Sequence, residues 1–213
     1  LEQRCPRCRL PPRWCVCAAA REVRIPLRID LVMHERERHR PSGTGGLIAR
    51  VLPETRLHRW HNDSDAPPAD LHAPDREAWI LHPHGGPPPP GVDPARVQAV
   101  LLDGAWSESA AMARVIGPHG RLVALPMAGE SRYWLRAQQE GGRFSTAEAL
   151  VFLLGALGLD EAREQLRLQL ELHVYAHLRA RGRAEAAEQF LAASPIRVAF
   201  AEEIARLNTR RPR

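Results

Sequence analysis

The apolar run Val100, Leu101, Leu102 closes on Asp103, Gly104, Ala105, Trp106 and Ser107, and a helical pattern then continues to Ile116. A short run of this kind reads as a buried strand, 98–102. Gly104 permits a sharp turn after it, and Ser107 offers a hydroxyl to cap the helix. A second apolar run follows at 121–125. Strand, helix and strand at this spacing form a βαβ unit and commit the chain to an α/β fold with parallel pairing. Asp103 then stands at the carboxyl end of a strand, where open α/β sheets bind ligands. A carboxylate there is either a general base or a turn-capping group.

The other segments fit around this unit. Val23, Ile25, Leu27, Ile29 and Leu31 alternate, and Val32 and Met33 follow, which predicts a first strand over 23–33. The next stretch, 34–45, carries Arg36, Arg38, Arg40, His34 and His39. It reads as a phosphate-binding loop, or as a solvated loop that caps a helix through Ser42 or Thr44. That helix runs to Leu52 and stops at Pro53. Residues 55–60 form a short strand, 63–75 a loop, and 78–83 a strand and its end. The prolines at 87–90 predict an extended, solvent-facing connection.

Ser145 and Glu148 make a capping box for a helix that Gly158 ends. Its first turn also offers backbone N–H groups to a carboxylate. A long helix spans 160–182, with Ala162, Leu166, Leu170, Val174 and Leu178 as its buried stripe. His173 and His177 are four apart on it. That spacing suits a metal, but no acidic partner accompanies them, so a packed face is the plainer reading. Helices over 184–192 and 195–208 and a basic tail complete the chain.

The 213 residues suffice for one domain with small appendages. No apolar run approaches the ~18–20 residues of a membrane span. The first residues show no secretory pattern, so a cytoplasmic location is expected. The net charge is +5, and all thirty Lys-plus-Arg positions are Arg. Codon bias accounts for much of this, while a basic balance and the guanidinium fork favour a phosphate-bearing partner.

Cys5, Cys8, Cys15 and Cys17 are the only cysteines and lie close together. Four thiolates at this spacing can form a tetrahedral zinc site without an open position, which is more often structural than catalytic; four free cysteines or two strained disulfides are the plainer alternative. Arg4, Arg7, Arg9 and Arg13 around it form an RNA-facing patch or a solvated face. The expected organisation is a zinc knuckle at 1–20 and a catalytic domain at 21–213, helical from about 159 onward.

Asp103, Gly104, Ala105 and Trp106 resemble the D-x-T-W signature of the DTW-domain family, the tRNA-uridine aminocarboxypropyltransferases. Ala105 replaces the signature Thr. The cysteines, 34–45, 131–136 and 145–149 agree with the family in order and spacing. Gly43 stands where the family usually has Asn before Thr44 and Gly45.

The resemblance implies a SPOUT-like, mostly parallel sheet with a trefoil knot, an N-terminal zinc knuckle and C-terminal helices. It implies transfer of the 3-amino-3-carboxypropyl group of S-adenosylmethionine to N3 of a tRNA uridine, in the variable loop among other places, with release of methylthioadenosine. Asp103 is then the base. Leu81, His82, Pro83, Leu102, Asp103, Trp106, Leu125 and Pro126 line the cofactor pocket. Ser131, Tyr133, Arg136, Ser145, Thr146 and Glu148 lie near the amino-acid end. Trp106 serves as an apolar wall or a base-stacking face, with core packing as its plainer reading. Arg9, Arg13, Arg38 and Arg40 are the expected RNA contacts. A monomer is expected. The rival readings are a SPOUT-type RNA methyltransferase and a non-catalytic zinc-knuckle RNA-binding protein.

Overall fold

The computed structural model describes residues 3–135 and 144–209. Arg136 and the end of the basic tail lie outside the described residues. Five strands form one all-parallel sheet: β1 (Arg28–His34), β2 (Arg56–Trp60), β3 (Glu77–Gly86), β4 (Val97–Asp103) and β5 (Arg121–Val123), in the order β2-β1-β4-β3-β5. The helices are α1 (Thr44–Val51), α2 (Trp106–Ile116), α3 (Thr146–Ala156), α4 (Asp160–Ala180), α5 (Ala184–Ala192), α6 (Ile196–Ala199) and α7 (Ala201–Asn208).

The central strand, β4, is buried along its whole length, as a parallel strand covered on both faces must be. Its side chains divide by the period of two. Val97, Ala99 and Leu101 enter a core shared with α1, α3, α4 and the C-terminal helices. Val100 and Leu102 enter a second core with Met112 and Ile116 of α2, Trp60 and Leu71. Three layers result, with the sheet in the middle. The knuckle joins the first core through Cys8, Leu10 and Val16. Arg206 of α7 holds it there by donating to the carbonyls of Arg13 at 3.2 Å and Cys15 at 2.5 Å.

Four expectations need correction. The ladder of β1 starts at Arg28, not at residue 23. Val23 instead donates its N–H to the Val51 carbonyl at 2.7 Å, and Pro26 has no N–H to offer a ladder. Neither Ser42 nor Thr44 caps α1; Gly43 takes that position. Ser107 does not cap α2 either. Ala105 is its N-cap residue, and the Ala105 N–H donates to Glu108 Oε2 at 2.7 Å. The helix expected over 195–208 is two, because Phe200 leaves helical geometry at φ −131°, ψ 41°, and its ring is buried. The loop at 63–75 and the proline-rich connection hold, and the latter links two adjacent parallel strands with only a 3-10 turn, Pro94–Arg96. No helix among the described residues is long and apolar enough to cross a membrane.

Candidate active site

The carboxyl edge of the sheet opens between β3 and β4. Their pairing ends at Ile80 and Val100, while β4 continues alongside β1 to Asp103. Beyond Ile80, β3 bulges: Leu81 and Gly86 both register with Val123 of β5. The bulge projects His82, Pro83 and His84 from the ladder. Gly85 makes this possible, since a Cβ there would lie 2.5 Å from the Leu122 carbonyl carbon and the Val123 nitrogen.

A cavity of about 320 Å³ fills the opening. Leu81, His82 and Pro83 form one wall, and Leu101, Leu102, Gly104 and Trp106 a second. Leu125 and Met127 follow from the end of β5, and Phe144, Ser145 and Thr146 close it from the start of α3. Larger hollows of about 530 and 660 Å³ lie under the amino ends of β1 and β2 and beside the 67–73 loop. They sit away from the strand carboxyl ends, where this fold class binds ligands, so the smaller cavity is the candidate site.

Asp103 is 5% exposed and stands one hydrogen bond behind the cavity wall. Thr146, which lines the cavity, donates its hydroxyl to Asp103 Oδ1 at 2.5 Å. On the other side the carboxylate packs against Gly45, where any Cβ would overlap Asp103 Oδ2 and lie 2.8 Å from Met33 Cε.

Around this pair the expected blocks clamp one another. Glu148 accepts the Arg132 N–H at 2.7 Å, the Ser145 N–H at 2.7 Å, and the hydroxyls of Ser131 at 2.9 Å and Ser145 at 2.8 Å. Tyr133 donates its hydroxyl to the Ser42 carbonyl at 2.7 Å, and Thr44 Oγ1 accepts the Ala147 N–H at 3.3 Å. The capping box therefore reaches beyond its own helix: Glu148 ties the start of α3 to the 131–135 segment. The Ala147 and Glu148 N–H groups of the first turn of α3 already have protein acceptors, Thr44 and Ser145.

His82 is half-buried, and burial, with His84 beside it, pushes its pKa below the usual histidine value. Its Nδ1 accepts the His84 N–H at 3.3 Å, so the neutral ring carries its proton on Nε2.

The DTW domain model matches residues 2–178. The chain belongs to the DTW-domain family. The match covers the knuckle, the sheet and nearly all of α4, and membership is consistent with a tRNA-modifying enzyme. No solved structure matches the chain.

Within this DTW domain the structure gathers Leu81, His82, Pro83, Leu102, Trp106, Leu125, Ser145 and Thr146 on one cavity. Ser131, Tyr133 and Glu148 stand behind its wall as the clamp, and Pro126 is exposed outside the lining. Trp106 is 47% exposed and lines the cavity, so it is not a core residue. Gly45, Met127 and Phe144 were not anticipated; only the block matches around Gly45 pointed toward it.

The four cysteine sulphurs lie within 4.8 Å of one another, with Cys5–Cys17 at 3.8 Å and Cys8–Cys15 at 3.6 Å. A tetrahedral zinc with sulphur ligands at 2.3 Å needs sulphurs about 3.8 Å apart, so this donor set fits zinc. Burial pushes the Cys5 thiol up, but the backbone N–H groups of Cys8 and Arg7 outweigh it and bring the thiol down to about 6. Burial and Cys8 push Cys17 up.

The four expected RNA-contacting arginines divide. Arg9 Nη1 lies 3.5 Å from His39 Nδ1, which sets the knuckle beside the loop that carries Arg38 and Arg40. Those two pair with Glu35 at 3.4 Å and Glu37 at 2.5 Å. Arg13 lies over Trp14 and donates to the Thr209 carbonyl at 3.2 Å, on the side of α7.

Proposed function

We propose that this DTW domain is a tRNA-uridine aminocarboxypropyltransferase, with a SPOUT-like knotted crevice as its S-adenosylmethionine site and the cytoplasm as its place of action. The observation that carries this reading is the cavity at the parting of β3 and β4, with the Thr146–Asp103 hydrogen bond at its edge. Its volume lies near the low end of the ~300–1,000 Å³ typical of small-molecule sites. Leu81, Leu102, Leu125 and Phe144 offer the apolar walls an adenine ring requires.

When bound, S-adenosylmethionine supplies the 3-amino-3-carboxypropyl group from its sulfonium and departs as methylthioadenosine. The chain must then remove the N3 proton of the uridine. Thr146 is the polar group on the cavity side, and Asp103 holds its hydroxyl from behind. A uridine N3–H that reaches Thr146 Oγ passes its proton through that hydroxyl to Asp103, as general-base catalysis through one bridging group. Trp106 at the cavity presents a ring face for a base, and such stacking is worth ~1–3 kcal/mol per base. The Glu148 clamp fixes Thr146 against Asp103 by holding the start of α3. Arg9, Arg38 and Arg40 supply positive charge for the tRNA backbone.

Nucleoside mass spectrometry of tRNA incubated with the protein and S-adenosylmethionine tests the proposal. A uridine heavier by one aminocarboxypropyl group, with methylthioadenosine released, supports it. A methyl gain with adenosylhomocysteine released favours the methyltransferase. No modified nucleoside leaves the RNA-binding reading.

A further inference from the structure

The clamp at Glu148 does not end at the 131–135 segment. Arg132 donates its backbone N–H to Glu148 at 2.7 Å, while its side chain reaches into the corner between α4 and α5. There its Nη2 donates to Glu171 Oε2 at 3.1 Å and to the carbonyls of Phe190 at 3.2 Å and Ala193 at 3.4 Å. The guanidinium carbon lies 4.1 Å from the Phe190 ring centroid, close enough for a cation to be held by the ring. Trp134, two residues on, meets the same ring edge-on at 5.2 Å.

Glu171 is the centre of that corner, and it is 1% exposed. Arg167, one turn earlier on α4, donates to its Oε1 at 2.9 Å. The Ser194 hydroxyl, from the turn between α5 and α6, donates to its Oε2. A buried carboxylate persists only with partners of this kind, and removing one leaves charge uncompensated. The place of the Arg132 fork is therefore closely specified. Phe190, Ala193 and Ser194 lie past residue 178, where the family match ends. Part of the corner is thus supplied from outside the matched domain.

We propose that Glu171 is a positioning residue: backed by Ser194, it fixes Arg132, and through Arg132 it sets Glu148 and the start of α3 against Asp103. Each step is a hydrogen bond. Glu171 holds the Arg132 side chain, and the Arg132 N–H and Ser131 hydroxyl hold Glu148. Glu148 accepts the Ser145 N–H at 2.7 Å, and Thr146, next in the chain, donates to Asp103. Without the Glu171 charge the guanidinium loses its anchor, and the Arg132 N–H loses its fixed direction. Glu148 then holds Ser145 less firmly. The C-terminal helices in this way serve the site without lining its cavity. The inference rests on the transfer reading only for what the alignment is for.

Hydrogen exchange of the full-length protein, read by mass spectrometry without S-adenosylmethionine or RNA, tests the alignment. Glu171→Gln is expected to raise exchange about tenfold at 131–135 and at 145–150, as a weakened charged hydrogen bond allows, and to leave 97–102 protected. Ser194→Ala, the milder variant, is expected to raise both stretches about threefold. If Glu171→Gln does not fold, Ser194→Ala decides. A rise confined to 164–175 and 190–197 overturns the proposal, because Glu171 then only packs its own corner. A uniform rise that includes 97–102 overturns it, as does no rise at 145–150. Single-turnover transfer by Ser194→Ala at saturating S-adenosylmethionine is expected to slow about threefold, with the affinity for S-adenosylmethionine unchanged. A wild-type rate in a variant whose 145–150 amides have loosened overturns the positioning role. A wild type that transfers nothing defeats the transfer reading instead, and the exchange pattern still decides the alignment.

Discussion

The Thr146 hydroxyl, on the first residue of α3, donates to Oδ1 of Asp103, the last residue of β4, at 2.5 Å. Two elements far apart in sequence thus meet in one bond at the edge of the cavity. Thr146→Val keeps the shape of the side chain and removes the donor. The expected result is a roughly 10–100-fold slower single-turnover transfer, within the range of general-base effects. The buried carboxylate loses one partner, at a cost of about 1–3 kcal/mol. Thr146→Ser restores the rate. A Val variant as fast as wild type removes Thr146 from the proton path.

Gly45 and Gly46 are neighbours with opposite expectations. A Cβ at 45 overlaps the Asp103 carboxylate, while one at 46 meets nothing within 4 Å. Gly45→Ala is expected to destabilise by about 1–3 kcal/mol through overpacking and to abolish transfer. Gly46→Ala, inside α1, is expected to stabilise by up to about 1 kcal/mol. Urea midpoints of the two variants check both signs.

Ala105 caps α2 with its backbone alone, and Glu108 supplies the reciprocal contact at 2.7 Å. Ala105→Thr, the residue of the family signature, completes the box. A gain of about 0.5–2 kcal/mol is expected, seen as a raised thermal midpoint. No gain would show that the threonine serves another purpose in the family.

The long helix makes the fold acid-sensitive. Burial, with Arg181 and Arg50, holds His177 down to about 3. The unfolded chain therefore binds this proton first, near the usual histidine value of about 6.5. His177 contributes nothing pH-dependent above that value. As pH falls from about 6.5 toward 3 stability is lost, at up to about 1.4 kcal/mol per pH unit. Asp30 acts lower. Burial raises its pKa, but bonds from His58, Arg28 and Gln98 outweigh burial and depress it. Its stabilisation is present above about pH 4 and is lost as pH falls through its folded value. His177→Leu is expected to flatten the upper limb of the acid-unfolding curve and leave the lower limb in place.

Much of this was legible because local physics dictated it. The β4–α2–β5 unit followed from apolar runs and one glycine, and the cap of α3 from Ser145 and Glu148. The gathering of Leu81, His82, Pro83, Leu102, Trp106 and Leu125 on one cavity is what the family resemblance implied, and it agrees with the strand-end rule for a parallel sheet. Long-range contacts were not legible. Nothing in the sequence pairs Thr146 with Asp103 or sets Gly45 against the same carboxylate. The alternation at 23–27 reports burial rather than a ladder. Phe200, whose ring is buried, leaves helical geometry and divides the helix, which helical periodicity does not encode. Core packing is the plainer reading of Trp106 because an aromatic at a helix start packs inward by default, and it fails here because the cavity lies beside the ring.

The most direct measurement is nucleoside mass spectrometry on tRNA modified by wild type and by Asp103→Asn under single-turnover conditions, with S-adenosylmethionine binding measured in parallel. The expected result is an aminocarboxypropylated uridine from the wild type. Asp103→Asn is expected to react at least about 100-fold more slowly while binding S-adenosylmethionine comparably. Equal rates in the two proteins, or a methyl group on the product, would contradict the role given to Asp103 and to the cavity beside it.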